Sequence, residues 1–167
     1  MKNMKKIALI IALGFFALSC SNNQNDKKNV ALIDKYVQAV EELDYATIES
    51  ILDDTYLGVG PSMGDSIKKP EVVETLKINF ENLYESIDYD RSRSIAVTIP
   101  DGPDKGQWVS NWAELTITYK EDQNRAKLYV NTVYQIDNGK IVKSMSFYNE
   151  ADVLEQLGYV FINPADL

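Results

Sequence analysis

Few residues of this chain could move a proton near neutral pH. Among its 167 residues there is no histidine and a single cysteine, Cys20. That excludes Ser-His-Asp and Cys-His nucleophiles and a zinc site of histidine and cysteine. It also excludes any disulfide within the chain. Acid–base chemistry is left to carboxylates and tyrosines. Glu114 is the first candidate, mid-strand on the same side as Trp108 and Trp112. On a concave apolar face its pKa would rise and it could serve as a general base. On a solvated convex face it would instead be paired across strands. The apolar Val109, Leu115 and Ile117 on the opposite side favour that second placement. Asp65, in a loop punctuated by Gly58, Gly60, Pro61 and Gly64, is the second candidate, weighed against an ordinary turn residue.

The aromatic residues Tyr36, Tyr56, Phe80, Trp108, Trp112, Tyr134, Phe147 and Tyr148 could line a pocket for an apolar or planar ligand. The expected lining is Tyr36, Tyr56, Phe80, Trp112, Tyr134 and Phe147, with plain core packing as the competing role. Asp101-Gly102-Pro103-Asp104 lacks the spacing of a calcium loop, and no phosphate-binding glycine motif is present. No metal and no cofactor are expected. The formal net charge of -8 argues against nucleic acid and anionic lipid as partners of the folded domain.

Those residues must be positioned by a chain that begins with helices and ends with strands. Residues 30–43 place Leu32, Tyr36, Ala39, Val40 and Leu43 on one helical face. Asp44 can cap a second helix over 45–52. A short strand over 55–59 leads through the glycine-rich loop to Pro70, which suits the first turn of a third helix. Val72, Leu76, Phe80, Leu83 and Ile87 recur along it at helical spacing. Four strands follow, over 88–100, 108–119, 126–136 and 141–148, with Asn138-Gly139 as a hairpin signal between the last two. Asn149 can cap a C-terminal helix through Leu157, stopped by Gly158. Helices followed by hairpin-linked strands predict an α+β fold with the helices on one face of a curved antiparallel sheet.

The N-terminus reads as a targeting segment. Lys2, Lys5 and Lys6 precede an apolar run from Ile7 to Leu18, then Ser19 and Cys20. A run of that length is too short to cross a bilayer core of about 30 Å as a helix. The segment resembles the signal peptide of a bacterial lipoprotein, in which the cysteine is lipidated and becomes the new N-terminus, although Ala17 stands where leucine is usual. The alternative is an ordinary secretory signal with an incidental cysteine. Ser21 after the cysteine resembles the outer-membrane default rather than inner-membrane retention. The resemblance implies a signal peptide over 1–19, a cell-envelope location and attachment to the membrane through Cys20. Residues 20–29 are expected to form a flexible polar tether, and 30–167 the domain.

The order of elements carries a further resemblance. Tyr36-Val37-Gln38-Ala39-Val40 with Leu43-Asp44, Ile51-Leu52-Asp53-Asp54, and the glycine-rich loop before Pro70 form its first half. Gln135-Ile136-Asp137-Asn138-Gly139-Lys140-Ile141-Val142, then Phe147-Tyr148-Asn149 and Leu154-Glu155-Gln156-Leu157-Gly158, form its second. Together they resemble the NTF2-like superfamily, and within it the SnoaL-like branch. The resemblance implies an NTF2-like cone: a curved antiparallel sheet wrapped on three N-terminal helices, with a short C-terminal helix and a deep apolar pocket. It also implies either an enzyme or a binding module, because the fold hosts both. In ketosteroid-isomerase-like members the catalytic base is a carboxylate just before a proline. Here Gly60 precedes Pro61, so that base is missing, while the tyrosine of the first helix corresponds to Tyr36. The expectation is a lipid-anchored, non-catalytic module binding a small apolar ligand or a protein partner. The alternative is an isomerase or hydrolyase using Glu114 or Asp65 with Tyr36. A homodimer through the sheet face is a further expectation.

Overall fold

The computed structural model describes residues 24–121, 123–163 and 165. The signal segment, Cys20 and the first residues of the expected tether lie outside the described residues. The first helix, α1, covers 24–41. It therefore takes in residues 24–29, assigned above to the tether. Polar residues can continue a helix whose buried face starts only later. That face is also turned relative to expectation. Ile33, Val37, Ala39 and Val40 are buried, and Leu32 and Tyr36 pack at its edge.

Leu43 adopts a left-handed φ of 53° and ends the helix. The Leu43 and Asp44 amides donate back to the carbonyls of Val40 and Ala39, a Schellman arrangement. Asp44 then caps α2 (Tyr45–Ile51), its carboxylate accepting from the Thr47 amide at 3.0 Å. β1 (Leu52–Val59) follows directly, and β2 (Ser66–Lys68) folds back against it. Three residues among glycine, proline and serine give no strand period, so β2 was not foreseen.

Helix α3 (Lys69–Asn82) carries Pro70 in its first turn. It stops before Leu83 and Ile87, which the helical spacing had included. The Lys120 ammonium donates to the Phe80 and Glu81 carbonyls at 3.1 and 2.7 Å and satisfies that end. Ile87 is instead buried on β3 (Tyr84–Ile99), opposite Ile117 of β4 (Gly106–Tyr119). β5 (Arg125–Asp137), β6 (Lys140–Phe147) and α4 (Glu150–Gln156) complete the chain. Asn138 and Gly139 both have positive φ, 49° and 74°, as a two-residue hairpin turn requires.

The six strands form one sheet in the order β2-β1-β6-β5-β4-β3. Every pairing is antiparallel except β1 with β6, which run parallel. A bulge between Asp90 and Arg93, with Arg91 at φ 53°, bends β3. Asn111, 1 % exposed, donates to the Ser92 and Ser94 hydroxyls across this bend. The helices cover the concave face, where Ile33, Ile48, Leu52, Val109 and Ile141 are fully buried.

Candidate functional site

Strand parity decides which residues can share a site. On β4 the buried Val109, Asn111, Ala113 and Leu115 alternate inward. Trp108, Trp112 and Glu114 therefore point to the outer, convex face. Glu114 pairs there with Arg91 at 2.6 Å, brought alongside by the bulge in β3. This corrects its candidacy as a buried base: the carboxylate is partly exposed, ion-paired and on the wrong side of the sheet. Trp112 and Phe147, expected in the pocket, flank a shallow outer groove with Arg91, Arg93 and Tyr129. Both belong to the cross-strand row Trp112–Asn131–Phe147, which faces outward. Trp108 also lies outside, covered by its own turn through a bond from Nε1 to the Asp104 carbonyl at 2.8 Å. Phe80 is a core residue on α3 rather than a lining one. Asp65 is exposed in the loop, its carbonyl accepting from the Gly60 amide at 3.2 Å. A Cβ on Gly60 would stand 3.1 Å from that of Asp65, so the glycine lets the loop fold back.

The concave face holds a cavity of about 500 Å³. Its distinguishing feature is tyrosine. Tyr36, Tyr56, Tyr84, Tyr89, Tyr119, Tyr134 and Tyr148 all line it, seven of the ten in the chain. Val72, Leu115, Ile117, Leu128 and Val130 supply apolar wall, and Thr132, Ser144 and Ser146 supply small hydroxyls. α4 lies across the mouth with Val153, Leu154 and Leu157 inward. The Gln156 amide fastens α4 to β5, accepting from the Lys127 amide and donating to the Lys127 carbonyl, both at 2.8 Å. Of the tyrosines, Tyr36, Tyr56 and Tyr134 were named from sequence as lining residues, and Tyr148 belonged to the wider aromatic set. Tyr84, Tyr89 and Tyr119 were missed. The signal was available for two of them: Tyr119 shares strand parity with Leu115 and Ile117, and Tyr89 with Ile87.

Two of the phenols have a hydroxyl neighbour. Tyr56 and Ser144 hydroxyls lie 2.6 Å apart, and Tyr134 is within reach of Thr132. Tyr36, Tyr84, Tyr89, Tyr119 and Tyr148 have no hydroxyl partner among the described residues, yet no polar side-chain atom there is sealed away unsatisfied. Those hydroxyls therefore keep some accessible surface, on residues that line the cavity. The Tyr36 and Tyr134 rings sit 5.4 Å apart at the deep end. Burial raises both of their pKa values well above 10, and neighbouring phenols add to it. Tyr36 retains some accessible surface and lines the cavity. Burial pushes Tyr84 and Tyr89 up to about 12. Tyr56, Tyr119 and Tyr148 are raised too, mainly by burial. At neutral pH every phenol in the cavity keeps its proton and can donate. Among the described residues the one carboxylate in the lining is Glu150, exposed at the mouth.

Solved structures of known proteins share this architecture. A candidate polyketide cyclase from Xanthomonas campestris superposes with a TM-score of 0.65 at 13% identity, covering 80% of this chain and 98% of its own. A candidate SnoaL-like polyketide cyclase from Shewanella denitrificans gives 0.62 at 14%, covering 78% and 96%. A protein of ketosteroid isomerase-like fold from Catenulispora acidiphila, solved with trimethylamine, gives 0.59 at 12%, covering 81% and 95%. The fold is the NTF2-like cone. No protein-family model and no curated protein matches the sequence. Identities this low establish shared fold and leave activity to be argued from the site.

Proposed function

We propose that this NTF2-like protein is a binding module whose cavity takes a small, largely apolar molecule bearing hydrogen-bond acceptors, and that it does not turn that molecule over. The supporting observation is the lining itself. It offers several unpartnered phenol donors and apolar walls, but no histidine and no carboxylate except the solvent-exposed Glu150. Proton abstraction needs a base within hydrogen-bond reach of the reacting atom, and among the described lining residues Glu150 at the mouth is the sole carboxylate. A ligand of small size accompanies the same fold in the Catenulispora protein.

Native mass spectrometry of the gently purified full-length chain should reveal a retained small molecule. Gly58→Val should abolish its retention, weakening binding by about ten- to a hundredfold. Gly58 is a buried part of the lining, and a Cβ there would meet the Tyr56 hydroxyl at 2.9 Å. Equal ligand content in both proteins would remove this cavity as the site. Conversion of the recovered molecule on incubation with the wild type, lost in Glu150→Gln, would establish the enzyme reading instead.

We further propose that Cys20 is lipidated and holds the domain at the cell envelope, at the outer membrane where there is one. The motif around Ala17-Leu18-Ser19-Cys20 supports this. A clickable fatty-acid analogue should label the wild type, while Cys20→Ser should be unlabelled and leave the membrane fraction. Membrane retention of unlabelled Cys20→Ser protein would refute lipid anchoring.

A further inference from the structure

We propose that the mouth of the cavity is a tyrosine cage for a methylated ammonium group. The inference rests on the reading of the cavity as a binding site and names the chemistry of its ligand. Tyr84 of β3 and Tyr119 of β4 meet edge to face, with ring centroids 5.6 Å apart and planes at 62°. They form a corner rather than a stack. Tyr148, directly after β6, lines the same opening. Glu150 lines the same opening, at an exposed position. Rings from three elements beside a carboxylate are what a cation needs. The ring faces carry negative quadrupole density, and the acid supplies net charge.

The protein leaves this cage without a cation of its own. No lysine or arginine lines the cavity among the described residues. Lys120, next to Tyr119, spends its ammonium on the Phe80 and Glu81 carbonyls at the end of α3. An anionic ligand would meet Glu150 in a chain of net charge -8 with no countercharge at the site. A methylated ammonium combines a diffuse charge for the rings with an apolar shell for Val153, Leu154 and Leu157 of α4.

Isothermal calorimetry on the full-length protein with choline and its neutral isostere 3,3-dimethylbutanol tests this. Choline should bind at least about tenfold more tightly, the ratio expected from a partly desolvated cation–π site. Tyr119→Leu and Tyr148→Leu should each reduce choline affinity about fivefold or more, with little effect on the isostere. Melting curves establish that these variants are folded. Glu150→Gln, at an exposed position, should weaken choline binding alone. Equal binding of the two probes, or choline affinity indifferent to all three substitutions, would overturn the cage. If the isostere binds and choline does not, the apolar cavity stands and the ammonium assignment falls. If neither binds while another molecule co-purifies, the same holds. If neither binds and nothing co-purifies, both readings fall.

Discussion

Ile33→Ala is expected to destabilise the protein by about 3–5 kcal/mol, a large part of the stability of an ordinary domain. Ile33 has no exposed surface and sits at the centre of the α1 face. It is packed with Val37 and Val40 in the cluster that includes Ile48, Leu52 and Ile141. Alanine there removes three carbons and leaves a void that the sheet behind it cannot collapse to fill. Leu32→Ala, one residue away, should cost only about 1 kcal/mol, because Leu32 is partly exposed and packs at the margin. Urea denaturation at equal slopes would measure both. A Leu32 variant as damaged as the Ile33 variant would mean that α1 is rotated from the orientation described.

That pair of residues also shows what sequence alone conveys. The period of α1 was clear, and its phase was not. Leu32, Tyr36, Ala39, Val40 and Leu43 make a helical stripe, and Ile33, Val37 and Val40 make an overlapping one about a third of a turn away. Both are apolar, and only the shape of the sheet selects between them. The same ambiguity extended α3 too far. Leu83 and Ile87 continue a helical spacing, yet β3 begins at Tyr84 because Ile87 pairs with Ile117 across the sheet. Local signals with a specific backbone geometry carried through: the Asp44 and Asn149 caps, Pro70 at a helix start and the Asn138-Gly139 turn.

The site was less legible for a related reason. Sequence alternation on β4 separates Glu114, Trp108 and Trp112 from Leu115 and Ile117, but it does not say which set faces the helices. Aromatic residues look alike in either place. Parity resolves the matter once one face is fixed by burial. Seven tyrosines then line the void, where a ring can pack and a hydroxyl can meet a ligand, and neither tryptophan does. Trp112, 43 % exposed, and Tyr129, 79 % exposed, stand on the outer face with the Glu114–Arg91 pair. Proteins sharing this cone are described as cyclases and as ketosteroid isomerase-like in fold.

The tyrosine cavity should make the native state fail steeply in alkali. A phenol is neutral below its pKa. The ordinary value of 10.0 describes the unfolded chain, whereas burial pushes Tyr84 and Tyr89 up to about 12 in the fold. Below pH 10 both states hold the proton, and the full stability is present. Between the two values the unfolded chain releases the proton and the native one does not, so stability falls as pH rises and is lost through the native pKa. A shift of about two units is worth on the order of 2 kcal/mol by pH 12, somewhat less for Tyr84 because it lies nearer solvent. Tyr36 and Tyr134, raised well above 10 by burial, act in the same direction. Tyr84 and Tyr89 alone bring an alkaline loss that is a sizeable part of the roughly 5–15 kcal/mol that holds a typical domain together. Cooperative unfolding is therefore expected between pH 10 and 12, with the cavity phenols ionising in the same step. Far-ultraviolet circular dichroism and phenolate absorbance recorded together would measure this. A phenolate titration of all the tyrosines with its midpoint near pH 10 and the dichroism unchanged would mean that the cavity is open to water and its phenols unshifted. A ligand that binds the native cavity should move the transition to higher pH in proportion to its concentration over its Kd. The titration thus serves as a ligand assay, and its sensitivity to Gly58→Val would link the buried phenols to the binding site.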